Sequence, residues 1–125
     1  MDKRCFKIDN TQRTYADSVK HCKSQGATIA SIHSDKENNA AVNLVKKPTY
    51  IGAESDGKGN WKWNDGSKWW QPDNSKHDGI AGRTETKIAL STDKKWHDWF
   101  TGDDKLGVLC ALNLDNPKPA GKLCA

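Results

Sequence analysis

Four cysteines frame this sequence: Cys5 and Cys22 near its beginning, Cys110 and Cys124 near its end. They contain no C-x-x-C pair and no Cys/His spacing suited to zinc. An even number without metal spacing points to disulfides in an oxidising compartment. Four cysteines permit three pairings. We expect Cys22 with Cys110 and Cys5 with Cys124, because this nests one tie within the other. The inner bridge would close most of the chain into a loop, which loop-closure entropy rates at about 4 to 5 kcal/mol of stability. The length, 125 residues, suits a single core. One domain over 1–125 is therefore expected, with a short Pro/Gly tail at 115–125 whose end Cys124 pins.

The charge pattern narrows the function. Twenty basic and 16 acidic residues give a formal net charge of +4, but they are spread along the chain, with Lys46-Lys47 and Lys94-Lys95 the densest basic steps. That describes a solvated surface, whereas a nucleic-acid partner needs basic clusters on one face. Six tryptophans among many Gly, Asn, Asp and Ser residues describe a folded, loop-rich domain, since disordered chains are poor in aromatics. No apolar run approaches the roughly 18 to 20 residues of a membrane span. Met1 to Arg4 are not the apolar core of a signal peptide, so for a secreted chain we expect the targeting segment to be missing from the sequence as given.

Local signals place the elements. Thr14 with Asp17 three residues on resembles a capping box, and Tyr15, Val19 and Cys22 then recur at helical spacing until Gly26. Residues 27–32 are partly β-branched and predict a strand. Ser34 and Glu37 open a second helix with Ala40, Ala41, Leu44 and Val45 along one face, and Pro48 forbids its continuation. Residues 49–52 begin a strand, and the turn cluster at 56–60 leads to Trp61 and Trp63. From 64 to 85 no period is visible, only polar and turn-forming residues and tryptophans around Pro72. So long an irregular stretch inside a small domain is usually functional or disordered, and the Trp69-Trp70 pair argues that it is anchored. Residues 87–90, 95–99 and 106–112 read as three closing strands. There is no internal repeat.

The order of these elements, and several motifs within them, resemble the C-type lectin family. The motifs are Cys22, the stretch Gly26-Ala27-Thr28-Ile29-Ala30-Ser31-Ile32-His33-Ser34 leading to Glu37-Asn38, then Tyr50-Ile51-Gly52, Trp61-Lys62-Trp63, Asp65-Gly66-Ser67, Gln71-Pro72-Asp73, Trp96-His97-Asp98 and Cys110. The likeness runs from about Cys5 to Leu112. It implies an α+β fold of the C-type lectin kind, two helices flanking small antiparallel sheets with a long irregular ligand-binding loop. It also implies an extracellular, secreted protein. One departure is plain: the family's usual second disulfide, from the strand near Lys87 to the loop after Trp96, has no cysteine at either end here.

The resemblance also implies a site. Calcium takes six to eight oxygen ligands, and the matching donors are Gln71, Asp73, Glu85 and Asp98. The family's proline between the first two typically follows a cis peptide bond that turns both side chains toward one ion. Two vicinal sugar hydroxyls would bind the calcium and hydrogen-bond to the same ligands. The order Gln-Pro-Asp goes in this family with galactose- or GalNAc-type terminal sugars, and Glu-Pro-Asn with mannose-type ones. Trp70 and Trp99 are candidates to stack on the apolar face of the sugar. Position 97 departs from the family, whose Asn supplies an amide oxygen, because imidazole nitrogen suits hard calcium poorly. Lowered affinity, a hydrogen bond from His97 to the sugar, and a dead site are the three outcomes. A second calcium position near Asp56 is not expected, since Lys58 stands beside it.

The bland readings stand beside these. Trp61, Trp63, Trp69 and Trp96 are expected to pack the core and loop, Trp63-Asn64-Asp65 to form a turn outside the site, and His21, His33 and His77 to be solvated or packed. The alternative function is a lectin-like domain that binds a protein ligand without calcium or sugar. An ice-binding face conflicts with Lys68 and Lys76, and no catalytic constellation is present. The expected partners are glycoconjugates, not nucleic acid, and a homo-oligomer would supply avidity to a weak single site.

Overall fold

The computed structural model describes residues 4–56, 60–71, 86–93 and 95–113. The tail at 115–125, Cys124, Asp73, Glu85 and the peptide bond before Pro72 lie outside the described residues. The order of elements is β1 (Arg4–Arg13), α1 (Tyr15–Ser24), β2 (Thr28–Ile29), α2 (Asp35–Leu44), β3 (Thr49–Ser55), β4 (Trp61–Trp63), β5 (Lys87–Leu90), β6 (Trp96–Phe100) and β7 (Leu106–Asn113).

Both helices start where their side chains can replace missing backbone partners. Thr14 accepts from the Asp17 N–H at 3.3 Å, and Ser34 accepts from the Glu37 N–H at 3.1 Å. Glu37 reaches back to the His33 N–H at 2.9 Å, one residue before the cap. Each contact satisfies a helix-end donor that has no intrahelical acceptor. α1 ends at Ser24 with Gln25 as its cap, and Gly26 follows with a φ of 75° that favours glycine.

The sheet is organised around β7. Its order is β1-β7-β3-β5-β6, with β2 also paired to β7 and β4 to β3. The β3–β7 pairing is parallel and the others are antiparallel, so hydrogen bonding runs through one mixed sheet instead of separate small antiparallel ones. Side chains of a strand alternate between faces, and β7 uses this to serve two cores. Leu109 and Ala111 join Ile51, Ile88, Trp63 and Trp96 under α2. Val108 and Cys110 join Tyr15, Cys22, Ile29 and Tyr50 under α1.

The Cys22–Cys110 disulfide crosses the second core, as expected. Cys5 is itself disulfide-bonded, and its expected partner Cys124 is among the residues not described.

Three readings need correction. β1 was not anticipated: its segment is mostly polar, and what makes it a strand is its antiparallel register with β7 from Arg4 opposite Asn113 to Arg13 opposite Leu106. The strand predicted over 27–32 contracts to Thr28–Ile29, although residues 29–32 are all buried, because the chain leaves the ladder while staying in the core. In α2, Ala40 is exposed. The buried stripe is Glu37, Asn38, Ala41 and Val42, displaced because Asn38 has a partner inside.

At Gly52, β3 closely approaches Ala30 in the segment after β2. A Cβ there would stand 2.9 Å from the Ala30 carbonyl oxygen, and the Gly52 N–H donates to that same oxygen at 2.8 Å. Only a residue without a side chain permits this approach.

Candidate functional site

The described start of the irregular stretch, residues 64–71, packs against a box of indoles. Trp63 from β4 lies 4.7 Å from Trp69 and meets Trp96 of β6 edge-on at 5.6 Å. Trp61 stacks on Trp69 at 6.2 Å, and Trp70 meets Trp96 edge-on at 6.3 Å. Trp63 and Trp96 are buried, whereas Trp61, Trp69 and Trp70 are half-exposed. The box thus has a sealed floor and an open rim. Trp96 is fixed further by α2, since its Nε1 donates to Asn38 Oδ1 at 2.9 Å in the interior.

A polar clasp holds the start of the stretch. Ser31 donates to Asp65 Oδ2 at 2.6 Å, and His33 Nε2 lies 3.0 Å from both Ser31 Oγ and Ser67 Oγ. Asp65 also accepts from the Ser67 N–H and hydroxyl. Asn64 donates to Glu54 at 2.9 Å. Trp63-Asn64-Asp65 is therefore a turn fastening the loop to β3 and to the segment after β2, and His33 is part of the fastening.

Gln71 stands exposed at the rim, and its Oε1 accepts from Trp69 Nε1 at 2.9 Å. Of the other expected oxygen donors, Asp73 and Glu85 are not described and Asp98 is described only in its backbone, as is Trp99. That backbone is informative. β6 pairs His97 with Ala89 and Phe100 with Lys87, so Asp98 and Trp99 together face the single residue Ile88. Two residues opposite one breaks the ladder in the manner of a β-bulge. Among the described residues, no three His, Cys, Asp or Glu side chains converge as a metal-ligand set.

His97 is buried, with Nε2 2.8 Å from Asp93 Oδ2 in the β5–β6 turn. Asp93 is held below the usual carboxylate value: its slight desolvation works the other way, but hydrogen bonds from His97 and the Lys95 N–H outweigh it.

Lys87 and Gly102, which lie in the two segments where the family's second disulfide would stand, are each in noncovalent contact with Tyr15 of α1. The Lys87 ammonium sits 5.0 Å over the Tyr15 ring, and its stem lies 3.5 Å from where a Cβ on Gly102 would be. The Tyr15 N–H donates to the Gly102 carbonyl at 2.9 Å, and Tyr50 donates to the Asp104 carbonyl at 2.7 Å. Desolvation lowers the Lys87 pKa, opposed by Glu54. Burial raises Tyr15, whose hydroxyl donates to Glu54 at 2.7 Å.

Sequence reasoning missed three relations: Trp69 with Gln71, Asn38 with Trp96, and Asp93 with His97. The first two-residue spacing was visible, but nothing local showed that the indole turns back on the amide.

The family model described as Lectin C-type domain matches residues 11–112, and the chain belongs to the C-type lectin domain family. It is 33% identical over 125 residues to the galactose-specific lectin nattectin of Thalassophryne nattereri, covering 89% of this chain and 75% of that one. It is 30% identical over 98 residues to Snaclec 4 of Daboia siamensis, covering 76% and 66% respectively. The chain spans 62% of ladderlectin of Oncorhynchus mykiss, so some relatives extend well beyond it. Among solved structures, a calcium-independent type II antifreeze protein superposes with TM-score 0.76 at 26% identity, covering 90% of this chain and 88% of that one. The C-type lectin domain of murine dendritic cell inhibitory receptor 2 superposes with TM-score 0.78 at 20% identity, covering 89% and 91%, a likeness of fold alone. No helix among the described residues is long and apolar enough to cross a membrane.

Proposed function

We propose that this domain binds galactose-type terminal sugars through a calcium ion held by Gln71, Asp73, Glu85 and Asp98. The observation that carries the reading is the Trp69–Gln71 contact at 2.9 Å. It holds the first residue of the Gln71-Pro72-Asp73 triplet at the open rim of the tryptophan box, with its amide facing a defined way. The donor chemistry fits, since three carboxylates and an amide oxygen suit a hard cation. Calcium would supply the charge that orders sugar hydroxyls. The protein's own part is to aim the amide and acids and to offer an indole, Trp70 or Trp99, to the apolar sugar face. The contact with Asp93 supports a hairpin-holding role for His97 in place of ligation. The likeness to a galactose-specific lectin over 89% of the chain supports the sugar class. The Cys22–Cys110 bridge supports an extracellular setting. Clustering of several copies would give a weak single site useful avidity.

The test is titration calorimetry with galactose and with mannose, each with calcium and with a chelator. Galactose heat that disappears with the chelator is the expected result. Absence of heat for both sugars, together with absence of calcium binding, would overturn the reading in favour of a lectin-like domain that grips a protein.

A further inference from the structure

We infer that His33 is a positioning residue for the loop that leads to Gln71: its ring donates from Nε2 to two serine hydroxyls at once, and so fixes where the chain enters that loop. The consequence for binding rests on the calcium–galactose reading, whereas the direction of the hydrogen bonds stands without it.

The direction follows from counting hydrogens. A carboxylate accepts and does not donate, and a hydroxyl has a single hydrogen to give. Asp65 Oδ2 takes the hydrogen of Ser31 at 2.6 Å, and Asp65 Oδ1 takes that of Ser67. Both hydroxyls therefore turn oxygen lone pairs toward His33 Nε2, which stands 3.0 Å from each. A bare Nε2 would set three acceptors against one another. Nε2 must carry the hydrogen and share it between Ser31 and Ser67, whatever else Ser31 or Asp65 touches. In the neutral ring this makes Nδ1 the unprotonated nitrogen.

The ring is held on both sides of the gap it spans. The His33 backbone N–H donates to Glu37 of α2 at 2.9 Å, and the imidazole meets the buried Trp63 edge-on at 6.1 Å. On the loop side, Gly66 with a φ of 80° makes the turn in which Asp65 accepts the Ser67 N–H at 2.9 Å. Ser31 is buried in the segment after β2, and Ser67 stands four residues before Gln71. One shared hydrogen thus ties the core segment to the loop, and Asp65 sets which way it points.

Long-range proton–nitrogen NMR correlation reads the tautomer, with the His33 signals identified by their loss in His33→Gln. The neutral wild-type ring should carry its hydrogen on Nε2; an Nδ1–H ring would overturn the inference. Asp65→Asn supplies a directional change, because its NH2 must donate to one hydroxyl and so frees that hydroxyl's hydrogen to point at Nε2. The Nδ1–H form should then grow at the expense of Nε2–H, and an unchanged ring would show that Asp65 does not set the direction.

Calcium titrations test the positioning role. His33→Leu removes the donor and should weaken calcium binding roughly two- to tenfold, the range of one lost hydrogen bond. His33→Gln, whose NH2 offers two hydrogens near the place of Nε2, should keep affinity within about twofold of wild type. Equal losses in the two variants would assign the ring a packing role and overturn the inference, as would wild-type affinity in His33→Leu. Thermal melts of each variant separate unfolding from loss of positioning. A wild-type protein that binds no calcium sinks the functional reading, while the tautomer of the wild-type ring still decides the direction of the bonds.

Discussion

Trp96 of β6 donates its indole N–H to Asn38 of α2 at 2.9 Å, a bond closed inside the protein between a helix and the strand that also carries Asp98. A buried donor deprived of its acceptor loses the hydrogen bond and keeps its desolvation cost. Asn38→Leu is therefore expected to lower stability by about 2 to 3 kcal/mol. Urea denaturation measures it, and a loss under about 0.5 kcal/mol would show that Trp96 finds another acceptor.

The Cys22–Cys110 bridge spans a sequence separation of 88. Replacing both cysteines by alanine removes that constraint from the unfolded chain, and a loss of about 4 to 5 kcal/mol is expected from loop closure alone. Guanidinium unfolding of the double variant against wild type checks it. A change below about 1 kcal/mol would mean the unfolded chain is compact enough without the tie.

At Gly52 the obstacle is backbone: an added Cβ meets the Ala30 carbonyl oxygen at 2.9 Å and Ile29 at 3.1 Å. Gly52→Ala must push β3 away from the segment after β2, at a cost of about 1 to 3 kcal/mol. A melting temperature equal to wild type would refute the close approach.

Acid should weaken the attachment of β1. Asp9 accepts from the Thr11 N–H at 2.8 Å and faces His21 at 2.9 Å and Arg13 at 3.5 Å. Desolvation raises its pKa, but the Thr11 hydrogen bonds, Arg13 and His21 lower it further, leaving it below 3.8. A depressed carboxylate stabilises the fold above its unfolded value, and that contribution is lost as pH falls through the folded value. Stability should therefore be level near neutrality and decline below about pH 4, with a shallower decline in Asp9→Asn. Equal slopes in the two proteins would show that other carboxylates carry the acid response.

The sequence alone determined what depends on near neighbours and composition. Thr14 and Ser34 mark helix starts because a cap acts within three residues. Pro48 stops α2 by its own geometry, and the Trp69-Trp70 pair announced that the start of the irregular stretch packs against the core. The nested cysteine order anticipated the Cys22–Cys110 bridge, and motifs in family order anticipated the fold.

Only the tertiary structure decided relations that cross the chain. β1 is a strand because β7 offers it a ladder, not because its polar residues favour one. Asn38 faces inward because an indole 58 positions away needs an acceptor. His97 is committed to Asp93, and Gln71 to Trp69, by side-chain directions that no spacing encodes. Propensities and caps act over a turn or two of chain, whereas partner choice depends on which distant groups packing has already fixed in place.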